Sequence, residues 1–165
     1  MLKYANYDIV FQEVPDEVTL AINISNCPNQ CAGCHSKYLW HDVGEVLDKD
    51  ALDRLVDEYL TGITCVCFMG GDAEPYDVAN LAMHVKNKYK NIKTAWYSGK
   101  NDLPEAFHAE TFDYIKTGRY DEKFGPLNSL TTNQRMIKRL ADGRVKDITG
   151  RFQKVENEKI KTESI

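Results

Sequence analysis

The sequence predicts an α/β fold, a parallel sheet curved into an incomplete (βα) barrel smaller than a six-unit one. Stretches of strand length alternate with stretches of helical periodicity, the order that builds parallel sheets through right-handed crossovers. Ile63 to Met69 (ITCVCFM) is almost continuously apolar, the pattern of a strand covered on both faces. Only about four such strands are readable before residue 120, so the barrel stays open on one side.

Taken in order, residues 2–14 contain Tyr7-Asp8-Ile9-Val10-Phe11, an edge strand or a cover over the sheet, and Pro15-Asp16-Glu17 makes a turn. Val18, Leu20, Ile22 and Ile24 then alternate with Thr19, Ala21, Asn23 and Ser25, a period of two. One face should meet helices; the other, with Asn23 and Ser25, should look into a more polar interior. Ser36 to Val46 is ambiguous. Asp48 or Asp50 can cap a helix to about Leu60, because Leu52, Leu55, Val56 and Tyr59 share one stripe. Pro75 suits a helix start, and Val78, Leu81, Ala82, Val85 and Tyr89 keep helical spacing. Ile92–Tyr97 reads as a third strand, Asp102–His108 as a short helix and Phe112–Lys116 as a fourth strand. From Tyr120 the pattern weakens. One domain over 1–150 with a charged tail or short helix over 151–165 is the simplest division.

The 165 residues carry a net charge of −4 with no basic block before the tail, which argues against nucleic acid as the main partner. No apolar run reaches bilayer length and the N-terminus lacks a signal-peptide pattern, so a cytoplasmic location and no membrane partner are expected. Five cysteines is an odd number, and three of them crowd one loop, which points to metal or redox work rather than a disulfide framework.

That loop is Cys27-Pro28-Asn29-Gln30-Cys31-Ala32-Gly33-Cys34, at spacing C-x3-C-x2-C directly after the alternating strand. Its Pro, Asn and Gly residues exclude regular structure and let the thiols fold toward one inorganic centre. Three thiolates suit a soft or borderline metal, and a four-iron cluster held by three cysteines keeps one iron free of protein ligands. The competing readings are structural zinc with His35 as fourth ligand, or free thiols. Zinc ligands more usually come as pairs far apart in sequence. Cys65 and Cys67, two apart on a buried strand, read as small core residues. Gly70-Gly71-Asp72 closes the ITCVCFM strand, where parallel sheets bind ligands, and Tyr97-Ser98-Gly99 closes the next.

The string from Asn26 to His35 resembles the radical S-adenosylmethionine (SAM) enzymes, and in particular the branch that activates anaerobic ribonucleotide reductase. Gly70-Gly71-Asp72, Gly125-Pro126-Leu127 and Asn133-Gln134-Arg135 extend the resemblance over most of residues 18–140. It implies a barrel of the radical SAM type and a [4Fe-4S] cluster on Cys27, Cys31 and Cys34. It also implies SAM contacts from Gly33, Cys34, His35, Gly70, Gly71 and Asp72, with Tyr97 and Ser98 as further candidates for the ribose or adenine. The family has Glu at Asp72, which leaves that side chain without an assigned role. The implied activity is generation of a 5′-deoxyadenosyl radical that installs a glycyl radical on anaerobic ribonucleoside-triphosphate reductase, fed by a flavodoxin or ferredoxin. No protein acid or base is required, so no catalytic side chain is assigned. The open barrel side would admit a loop of the protein substrate, and a lid of the chain's own would count against that. Alternatives are an activator of another glycyl radical enzyme, such as pyruvate formate-lyase, a small-molecule radical SAM enzyme, or a non-enzymatic zinc or iron–sulfur module.

Overall fold

The computed structural model describes residues 1–153. Eight strands form one open mixed sheet: β1 (Lys3–Val10), β2 (Thr19–Ile24), β3 (Glu45–Val46), β4 (Cys65–Met69), β5 (Lys93–Tyr97), β6 (Tyr114–Thr117), β7 (Arg135–Arg139) and β8 (Val145–Asp147). Their spatial order is β3-β1-β2-β4-β5-β6-β7-β8. Only β2, β4, β5 and β6 pair in parallel; β1, β3, β7 and β8 are antiparallel to their neighbours.

This overturns the expected parallel (βα) barrel of the radical SAM type. The described residues contain two α-helices, α1 (Lys49–Tyr59) and α2 (Pro75–Lys88), too few for a (βα) repeat. The cause is local. The strands either side of the parallel core, β1 and β7, run antiparallel to it, and each leads outward to a further antiparallel strand rather than to a crossover.

Both helices cover the same face. Leu52, Leu55 and Val56 of α1 and Val78, Leu81, Ala82 and Val85 of α2 pack with Leu20, Ile22, Val66, Phe68 and Trp96 in the larger core. Asp48 caps α1, its carboxylate accepting from Ala51 N at 2.8 Å, and Pro75 opens α2, as their side chains favour. Among the described residues no α-helix covers the other face. Cys65, Cys67, Ala95, Tyr114 and Met136 are covered there by Val14 from the β1–β2 loop and by Ile148, with Phe152 against them. Both faces of β2 are buried except at Asn23, and Asn23 donates to Asn6 Oδ1 at 2.6 Å, within the sheet rather than toward the cysteines.

The reading of Asp102–His108 as a helix is also corrected. Pro104 and a left-handed Ala106 (φ 54°) interrupt it, and the only helical turn nearby is a 3₁₀ turn at Ala109–Thr111. Of the tail, Arg151–Gln153 finish a 3₁₀ turn in which Arg151 makes a two-bond ion pair with Asp16; the rest lies outside the described residues. No helix among the described residues is long and apolar enough to cross a membrane.

Candidate iron–sulfur site

Because β2, β4, β5 and β6 run parallel, the segments that follow them meet on one rim. The cysteine loop follows β2, Gly70-Gly71-Asp72 follows β4, Ser98-Gly99 follows β5 and Gly118 follows β6. Backbone bonds lace them together: Gly70 N to Tyr97 O at 3.0 Å, Ser98 N to Lys116 O at 2.8 Å and Gly118 N to Lys100 O at 2.8 Å.

The loop leaves β2 through Asn26 and turns again at Gln30 and Gly33, all with positive φ (60°, 44° and 77°). Asn26 N and Cys27 N donate to His41 O and Leu39 O, which ties the loop to the segment behind it. Cys34 N donates to Cys31 O at 3.1 Å, closing a tight turn between these two cysteines. Cys31 is buried, Cys27 and Cys34 are half-buried, and all five cysteines are free thiols.

Two N–H groups are aimed at sulfur: Ser36 N lies 3.4 Å from Cys34 Sγ, and the Asn29 amide lies 3.7 Å from Cys27 Sγ. A buried cation also faces the loop. Lys116, 7 % exposed, donates to Gln134 Oε1 (2.8 Å) and Gly118 O (3.0 Å). Burial pulls its ammonium down from 10.5 to about 8, against the upward pull of Asp72, Cys31, Cys67 and Cys27. N–H donors and a buried positive charge around clustered thiols fit an anionic iron–sulfur centre. Among the described residues no three His, Cys, Asp or Glu side chains converge as ligands of a single ion. A cube spreads its cysteines over different irons, so its ligands need not converge on one point.

Residues 18–123 match the family described as the 4Fe-4S single cluster domain. The chain belongs to that family. The matched span begins just before β2 and ends just after the segment that covers the cysteine loop, so the loop and the strand-end segments that meet it lie within the span. The cofactor of this 4Fe-4S domain is therefore an iron–sulfur cluster, and the loop brings Cys27, Cys31 and Cys34 within eight residues of one another. No curated protein and no solved structure matches the chain.

The other residues singled out from the sequence divide into two groups. Asp72 and Ser98 come together, with Ser98 Oγ donating to Asp72 Oδ1 at 2.5 Å. Gly70 O accepts from Trp96 Nε1 at 2.8 Å and Gly71 O from Glu74 N at 3.0 Å, so each glycine carbonyl already holds one bond. Tyr97 lies on the face of Cys65 and Cys67, with the Lys116 ammonium 5.5 Å from its ring, and its hydroxyl donates to Glu13 O. Gly33 and His35 lie under a segment the sequence did not single out. A Cβ on Gly33 would stand 2.1 Å from Glu122 Oε1, and the His35 and Tyr120 rings are 6.2 Å apart. A stretch of the chain itself thus lies over part of the loop, which counts against the expected open side that admits a loop of another protein. Two cavities of about 420 and 440 Å³ open beside it on the same rim, the first lined by Asp72, Trp96, Ser98 and Lys100, the second by Arg119, Phe124, Asn133 and Arg135.

Sequence reasoning passed over Lys116, Asn29 and Glu122. Lys116 carried a usable signal, since a lone lysine closing the apolar strand Phe112–Lys116 must either snorkel or find partners inside.

Cys65 and Cys67 are fully buried, and burial pushes both thiols up, Cys67 sitting 3.4 Å from Met69 Sδ. A raised value keeps them protonated and unreactive. In native, iron-free protein at about pH 8.5, iodoacetamide should label Cys27 and Cys34 and leave Cys65 and Cys67 unmodified, which peptide mass mapping reads directly.

Proposed function

We propose that this chain is a radical SAM activase that installs a glycyl radical on anaerobic ribonucleoside-triphosphate reductase. The observation that carries the reading is the ligand count: a four-iron domain whose cysteine loop supplies three thiols, set beside cavities at the strand ends. A cluster held there would supply one-electron reduction of SAM, with the electron drawn from a flavodoxin- or ferredoxin-type reductant, and the resulting reaction would yield methionine, 5′-deoxyadenosine and a glycyl radical on the reductase.

The chain's own residues bind, orient and exclude water. Cys27, Cys31 and Cys34 hold three corners of the cluster. By the family resemblance, Gly33, Cys34, His35, Gly70 and Gly71 would contact SAM, and the glycines would allow close backbone approach because they present no side chain. Trp96 holds the Gly70 carbonyl in place. Lys116 offsets negative charge from inside the sheet, and the Tyr120–Glu122 segment packs against Gly33 beside the exposed His35. A loop of the reductase has to reach the site past that segment, and the two cavities beside it are the available entrances.

The test is to mix anaerobically reconstituted protein with SAM, reductant and the reductase. Methionine and 5′-deoxyadenosine should form, and an electron paramagnetic resonance (EPR) signal of a glycyl radical should grow on the reductase. Methionine without that signal would move the proposal to another glycyl radical enzyme. Neither product would overturn it.

A further inference from the structure

We propose that Asp72 and Asn29 act as a clamp on the cluster, with Asp72 fixing the Asn29 amide so that its second N–H donates to Cys27 Sγ. The inference rests on the iron–sulfur assignment but not on SAM chemistry. An amide nitrogen carries two hydrogens. One bond from Asn29 Nδ2 goes to Asp72 Oδ2 at 2.7 Å, and the other contact goes to Cys27 Sγ at 3.7 Å.

The rest of the Asp72 carboxylate is committed as well. Oδ2 also accepts from Gly99 N at 2.8 Å, and Oδ1 accepts from Ser98 Oγ. The carboxylate is therefore held by three donors from two segments, and its position is set by the strand ends rather than by a ligand. Gly99 completes the arrangement: a Cβ there would stand 2.5 Å from Asn29 Nδ2 and 3.4 Å from Asp72 Oδ2. The rim thus keeps a place for the Asn29 amide. This assigns the acid at the end of β4 to the cysteine loop instead of to SAM.

Two consequences follow from hydrogen bonding to a ligating sulfur. Partners that orient metal ligands typically change affinity by 10–100-fold when removed. A donor to sulfur also stabilises the more electron-rich, reduced cluster and so raises its potential. Asp72 and Asn29 are accordingly positioning residues.

The experiment compares anaerobically reconstituted wild type with N29A, D72A and the N29A/D72A double variant. N29A removes one half-buried loop side chain and leaves the core intact. Iron loss to a ferrous chelator should be about tenfold faster in N29A. The double variant should lose iron no faster than D72A, because both changes break one linkage. The reduction midpoint of N29A, followed by EPR, should be more negative than that of wild type, which general loosening of the fold would not by itself produce. The clamp is overturned if N29A keeps its iron and midpoint at wild-type values, or if the effects of N29A and D72A simply add. If wild type holds its cluster but never cleaves SAM, the proposed function fails while these comparisons still stand.

Discussion

Replacing Cys31 with Ala should abolish iron binding, and Cys27→Ala and Cys34→Ala should do the same, whereas Cys65→Ala and Cys67→Ala should retain iron at the wild-type level. The contrast follows from placement. The first three thiols share one eight-residue loop with N–H donors aimed at two of them. The last two are sealed in the smaller core on the sheet's other face with neutral thiols. A cluster bound by three cysteines has no spare ligand to replace a lost one. Iron and acid-labile sulfide per chain, measured after anaerobic reconstitution, check this. Iron retained in Cys31→Ala, or lost in Cys67→Ala, would show that the ligand set is wrong.

Trp96→Ala should destabilise the protein by about 4 kcal/mol, the usual cost of emptying a large aromatic site. Trp96 is 1 % exposed, lies 5.1 Å from Phe107 and 5.7 Å from Phe112 between ring centroids, and donates to Gly70 O. Losing it creates a cavity under the rim and frees the carbonyl at the end of β4. Trp96→Phe separates these effects: it keeps most of the packing and should cost about 1–2 kcal/mol for the unmade hydrogen bond. Urea unfolding of the iron-free variants measures both. A cost below about 1 kcal/mol for Trp96→Ala would mean that this ring does not hold the glycine turn in place.

Local signals were legible. The Asp48 cap, Pro75 at the start of α2, the doubly covered β4 and the β2 strand, though buried on both faces rather than alternating, all appear in the structure because each depends on residues within a turn or two. The architecture was less legible. β7 (Arg-Met-Ile-Lys-Arg) and β8 (Val-Lys-Asp) carry charges on partly exposed strands, so neither gives an apolar alternation. The Asp142-Gly143 pair between them, with Gly143 at φ 86°, was a usable hairpin signal that passed unread. With that hairpin and the antiparallel β1 counted, a parallel barrel would not have been expected.

The site divides along the same line. Three cysteines in one loop announce themselves at short range. The groups that tune them do not: Asn29 meets Asp72 across 43 residues, and Glu122 meets Gly33 from beyond β6. Such contacts exist only once the parallel strands bring their ends to one rim.

The central claim is that three thiols leave one iron of the cluster open to SAM. EPR of the dithionite-reduced protein before and after adding SAM tests it most directly. SAM should change the cluster's signal in wild type, because the added molecule binds an iron. A spectrum that stays the same at saturating SAM, from protein that carries its full four irons, would contradict it.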